Sequence, residues 1–152
     1  MYKLNLIKQG ENMLKKTLMS LVVCLGLSSS VSATELQNDM GILAGTLSEV
    51  QIGFFTNDKK STLESLDRLQ SEVKKYLGDK DTVTKLLPEE VQYKASIAVN
   101  SAEMIDKSIV QIKEVLKDKN MRMINRQMKT QKAFLEIQNQ CFRCHNLVRD
   151  WQ

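Results

Sequence analysis

From Leu36 the apolar positions Leu36, Met40, Leu43, Leu47, Val50 and Phe54 recur in alternating steps of four and three, the spacing that lays one stripe along a helix packed in a bundle. The first predicted helix ends near Asn57 and Asp58. A second opens at Ser61, which offers an N-cap with Glu64 three residues on, and carries Leu63, Leu66, Leu69 or Gln70, Val73 and Leu77 before Gly78 stops it. Residues 79–87 read as a connection; Pro88 suits the first turn of the next helix, and Glu89 and Glu90 suit its positive N-terminal end. The third stripe is Val91, Ala95, Ala98, Ala102, Ile105, Ile109, Ile112 and Leu116, ending at Lys117 to Asn120. The last helix is predicted from Met121 to about Asp150, with Ile124, Met128, Phe134, Ile137, Cys141, His145 and Val148 on one face and polar Gln131 interrupting it. Four amphipathic helices with brief connections predict an all-α, up-down-up-down four-helix bundle.

The first 33 residues are set apart from that fold. Residues 13–33 run from Met13 through Lys15 and Lys16 to an apolar run from Leu18 to Leu27 and a small-residue cleavage signature at Val31, Ser32 and Ala33, which is the grammar of an export signal. The apolar run is too short to span a bilayer. The mature domain is therefore expected to be residues 34–152, exported to the periplasm and cut after Ala33, with Met1 and Met13 both open as the true start.

Removing the leader changes the charge. The whole chain of 152 residues carries 22 basic and 18 acidic side chains, but Lys3, Lys8, Lys15, Lys16 and Glu11 leave with the leader, so the mature net charge is about +1. A nucleic-acid or anionic-membrane partner loses its main support, and no stable membrane insertion of the mature chain is expected. What survives is an asymmetry: residues 34–118 sum to −4 and residues 119–152 to +5. The last helix is the basic one. Aromatic residues make up only 5 % of the chain, thin filling for a bundle of this length unless another group supplies flat apolar bulk.

Cys24 also leaves with the signal, so two cysteines remain, Cys141 and Cys144. A disulfide between them would close almost no loop and stabilise little. Together with His145 they form a C-x-x-C-H run, Cys141-Phe142-Arg143-Cys144-His145, the spacing of c-type haem attachment. On a helix, residues i, i+3 and i+4 share a face, so two thiols can form thioethers with the two vinyl groups along one porphyrin edge while the imidazole ligates the iron. Zinc would want a fourth ligand, and Cys141, Cys144 and His145 are the only thiols and imidazole the mature chain offers. A thioredoxin-like dithiol sits at a helix start after a strand, and no strand is predicted. The cofactor expected is one haem c, covalent through Cys141 and Cys144, near the C-terminal end of the last helix.

For a second axial ligand, bundle geometry favours Met40. Met40 lies about four residues into the first helix and His145 about six before the end of the last, so both fall within roughly 6 to 10 Å of the same end of the bundle. Met104, Met121, Met123 and Met128 lie roughly 24 Å or more away and are expected to fill the core. Gly41, Ala44, Gly45 and Ser48 form a small-residue strip beside Met40, which suits a close approach by a haem face or a second subunit, or simply tolerated glycines.

These residues resemble the four-helix-bundle cytochromes that include cytochrome c′, the low-spin cytochromes c of the c556 type, and cytochrome b562, and the likeness covers the whole mature chain. Cys141-x-x-Cys144-His145-x-x-Val148-Arg149 is similar to the cytochrome c′ ending, with Val148 departing from the usual aromatic, and Glu35-Leu36-Gln37-Asn38-Asp39-Met40 is similar to the opening of mature cytochrome b562. The resemblance implies His145 as the axial ligand, Met40 as the ligand of six-coordinate members, and Arg149 beside the proximal face of the haem, where a solvated charge is the alternative. It leaves monomer and homodimer both open.

Two functions follow as expectations. The first is an electron carrier with a low-spin haem held between His145 and Met40, a ligand pair that raises the potential and fills the site a gas would need. The other is a five-coordinate, cytochrome c′-like protein that binds nitric oxide or carbon monoxide, with Met40 as packing. A haem-free interaction module requires the motif to be accidental. Catalysis is not expected, because His145 is the single histidine and no second one stands ready as acid or base. Partners are expected to be redox proteins, and Arg122, Arg126, Lys129, Lys132 and Arg143 could steer an acidic one toward the haem end or form a solvated face.

Overall fold

The computed structural model of the protein describes residues 30–148, with side chains from residue 35 to residue 146. Helix α1 spans Ser30–Phe55, α2 Lys59–Leu77, α3 Lys80–Leu86, α4 Ala95–Lys117 and α5 Met123–Val148, and a 3-10 segment at Glu89–Lys94 leads into α4. The four predicted helices are α1, α2, α4 and α5, and no strand occurs among the described residues. Of the expected leader, residues 1–29 lie outside the described residues, while Ser30–Ala33 are the first turn of α1. No described helix is long and apolar enough to cross a membrane.

Three local expectations are corrected. Asp58, not Ser61, caps α2: its carboxylate accepts the Ser61 backbone N–H at 3.0 Å, because Asn57, at φ 54°, turns the chain sharply enough to start the helix earlier. Residues 79–87 are not bare connection but hold α3, capped by Asp79, which accepts from the Thr82 N–H at 2.7 Å and its hydroxyl at 2.8 Å. The Thr82 backbone bond, then its side-chain bond, holds the Asp79 carboxyl below its ordinary range. A helix of two turns shows too little periodicity to be read from sequence. Pro88 stands just outside the 3-10 segment, and α4 proper begins at Ala95, yet every member of the predicted stripe from Val91 to Leu116 is buried.

The long helices run against one another in alternating directions. On α1 and α2, Glu49 pairs with Arg68 while Gly53 abuts Thr62. On α2 and α4, Lys113 donates to Gln70 at 2.6 Å, Gln70 donates to Asp106 at 2.7 Å, and Lys74 pairs with Asp106 at 3.2 Å. Gln70 is thus a polar clasp between helices, and Leu69 is the core residue beside it. Leu66, Ile109, Ile112, Ile137 and Val50 are the largest apolar side chains with essentially all of their surface buried, and they mark the centre.

Gly53 is required by that packing: an added Cβ would stand 3.1 Å from the Thr62 Cα and closer still to its hydroxyl. Gly41 and Gly45 have nothing within 4 Å of such a Cβ. Urea unfolding should therefore separate them. Gly53→Ala is expected to destabilise by about 1–3 kcal/mol through overpacking, whereas Gly41→Ala and Gly45→Ala each stabilise by about 1 kcal/mol through helix propensity.

The buried face of α5 departs from the predicted stripe. Phe134 and Ile137 are buried as expected, but Ile124 and Met128 are exposed and their places are taken by Thr130 and Ala133. Steps of four and then six residues, from Ile124 to Met128 to Phe134, do not hold one face at 100° per residue. Thr130 can be buried because its hydroxyl donates to the Arg126 carbonyl at 2.8 Å. Met104 and Met123 are exposed too, so neither they nor Met128 fill the core.

Candidate functional site

Three of the four sides of the bundle are closed by direct helix packing, α1 on α2, α2 on α4 and α4 on α5. The fourth is not. Directly packed helices lie about 8–10 Å apart between axes, which brings some Cα pairs within 8 Å; between α1 and α5 no Cα pair comes that close. One side-chain bridge spans the gap, an edge-to-face contact between Phe54 and Phe134 with ring centroids 5.5 Å apart.

That bridge fixes which sides of the two helices face each other. Met40 and Leu47 lie two and one heptads before Phe54, and a heptad returns a helix to nearly the same angle. The side of α1 that meets α5 at Phe54 therefore carries Leu47 and Met40 further along. Cys141 stands in the same relation to Phe134 on α5. Because the helices are antiparallel, each heptad leads about 10 Å from the bridge toward the same end. Both helices lose cover in that direction. On α1, Val50 is fully buried while Leu47, Leu43, Met40 and Leu36 are only half-buried; on α5, Ile137 is buried while Cys141 and Cys144 are half-buried. All of these partly covered side chains still pack on the core. The result, among the described residues, is an apolar cleft between the two helices, bridged at Phe54 and Phe134 and less covered toward the N-terminus of α1 and the C-terminus of α5, where α3 packs on α1 and the 3-10 segment on α5.

The chemistry lies in that cleft. Cys141 and Cys144 are free thiols one turn apart, and burial pushes both up from the ordinary thiol range, Cys144 further raised by the Cys141 charge. His145, one turn after Cys141, is exposed, and its place on the helix puts it toward the rim of the cleft. At the level of the antiparallel pairing, His145 stands opposite Leu43, with Met40 one turn beyond it toward the open end. The fold thus brings the sequence-predicted Met40, Cys141 and Cys144 to one opening, with His145 at its edge. Arg149 lies outside the described residues, as does the side chain of Val148.

Among the described residues no three His, Cys, Asp or Glu side chains converge to hold a bare metal ion. The strip of Gly41, Ala44, Gly45 and Ser48 is exposed on α1 beside Met40, and no described residue comes within 4 Å of a Cβ placed at either glycine. Comparison with protein-family models, with curated proteins and with solved structures returned no match to this chain.

Two features of the site were not singled out in the sequence. Leu36, Leu43 and Leu47 read there as ordinary stripe residues, whereas they line the opening. The heptad relation of Met40 to Phe54 and of Cys141 to Phe134 was available as a signal, but it points to a cleft only once the two rings are seen to touch. Gln140 is the other: it is buried directly before Cys141, its amide donates to Glu136 at 2.7 Å, and its Oε1 accepts from no described residue.

Proposed function

We propose that the chain is an exported monohaem c-type cytochrome that carries single electrons. Cys141 and Cys144 would hold the haem through thioethers, each thiol adding across one vinyl double bond, sulfur to one carbon and hydrogen to the next, so that no oxidant or reductant is consumed. His145 and Met40 would supply the axial ligands from α5 and α1. When bound, the haem supplies a one-electron iron couple, and this ligand pair raises its potential and leaves no open coordination site.

The observation that carries this reading is the cleft between α1 and α5, an apolar slot whose one side bears the C-x-x-C-H turn and whose other side bears Met40 with Leu36, Leu43 and Leu47. A flat apolar group would cover the half-buried leucines and thiols at once. The donor set, two thiols with an imidazole and a thioether near them, suits a haem that these four residues would hold, and the haem would supply the remaining ligands to its own iron.

Export with cleavage after Ala33, and a carrier rather than a catalytic role, belong to the same reading. Optical spectroscopy of the purified protein tests it. One haem per chain and a low-spin ferric spectrum are expected. A high-spin ferric spectrum would instead favour the five-coordinate, gas-binding alternative.

A further inference from the structure

Helix α5 carries a second stripe that the bundle does not use. Ile124, Met128, Leu135 and Phe142 are 56, 62, 48 and 67 % exposed, and their spacing sets them within about 40° of one line along the helix. Within the described residues α5 packs along α4 and the 3-10 segment and touches α1 through Phe134, which leaves this line uncovered. On one flank stand Lys129, Lys132 and Arg143, all exposed and in no ion pair with a described residue. Glu136, the one acid among them, already accepts from Gln140. On the other flank lies the cleft, since Phe142 is about 60° round the helix from His145.

An apolar centre with a charged rim is the anatomy of a protein contact, and a one-signed rim is what guides encounter. A second copy fits poorly. Pairing α5 on α5 about a two-fold axis would set cationic flank against cationic flank. Resting on the electron-carrier reading above, we infer that the Ile124–Met128–Leu135–Phe142 face of α5 docks a redox protein whose surface is acidic around a small apolar centre. The docked partner then sits against the rim of the cleft, on the side from which His145 emerges.

The test uses the purified exported protein and an acidic plant-type [2Fe–2S] ferredoxin as probe, with binding measured by calorimetry and reduction by stopped flow. Both are expected to weaken at least tenfold between low and high ionic strength. The double charge reversal Lys129→Glu/Lys132→Glu is expected to weaken both at least tenfold at low ionic strength. The matched reversal Lys59→Glu/Lys60→Glu, on α2, which does not pack against α5, should change them less than twofold. Met128→Ser/Leu135→Ser should weaken binding at low and high salt alike, with circular dichroism unchanged. Equal effects of the two charge reversals, absence of binding, or preferential binding to anionic phosphatidylglycerol vesicles would each overturn the docking face. Calorimetry does not need haem: a colourless protein that binds through these residues overturns the carrier reading alone, and a haem protein whose binding ignores them overturns the docking face alone.

Discussion

Met40→Ala is expected to turn a low-spin ferric haem high-spin and to lower its reduction potential by ~0.2 V or more, a fraction of the roughly 0.8 V over which axial ligands set haem potentials. A thioether ligand favours the reduced iron; alanine at this position leaves that side of the slot to water. The fold should survive, because Met40 is only half-buried and the stripe around it, Leu36, Leu43 and Leu47, remains. Two controls separate ligation from packing. Leu47→Ala removes comparable apolar cover from the same side of α1 and should leave the spin state unchanged. Met104→Ala removes a thioether from the exposed side of α4 and should change neither spectrum nor potential. Redox titration with parallel ferric spectra decides the matter, and a Met40→Ala protein that keeps the wild-type spectrum would remove Met40 from the ligand set.

The second large effect concerns the thiols. Cys141→Ala/Cys144→Ala is expected to yield a protein whose pigment dissociates on dilution and dialysis, where the wild type keeps all of its colour. A covalent group cannot leave, whereas a dissociable one stabilises the fold only by mass action, about 4 kcal/mol at a thousandfold excess over Kd and nothing once it has gone. The dialysed variant should therefore melt at least ~5 °C below wild type, the half-buried leucines of α1 being left open to water. Thermal melts followed by circular dichroism, before and after adding back free haem, measure this. Equal retention of colour by the variant and the wild type would mean that the thiols carry no cofactor.

The architecture was legible in the sequence wherever apolar residues kept a steady period. Every member of the stripe from Val91 to Leu116 is buried, in the 3-10 segment and α4, while Ser101, Ser108 and Val115 are buried beside it without having been read from the pattern. In α5 the same reasoning failed at Ile124 and Met128, because buried Thr130 satisfies its hydroxyl within its own helix and so occupies a place that hydropathy assigns to an apolar residue. The cap at Asp58 was displaced from Ser61 for a backbone reason, the left-handed turn at Asn57, which no side-chain pattern announces. The spacing of Cys141, Cys144 and His145 was plain from the start, and so was the nearness of Met40 to the same end. The opening between α1 and α5 was not, because it depends on how far apart two helices stand, and periodicity gives the direction a face points but not the distance to its neighbour. The exposed line of Ile124, Met128, Leu135 and Phe142 was hidden for the same reason: two of its members read as core until the rotation of α5 was known.

Intact-mass measurement of the purified wild-type protein under denaturing conditions bears most directly on the whole account. The expected mass is that of residues 34–152 plus one haem, retained on the chain after acid and organic solvent. A chain at its bare polypeptide mass would contradict the thioether attachment on which the carrier function, the role of Met40 and the effect of the cysteine substitutions all depend.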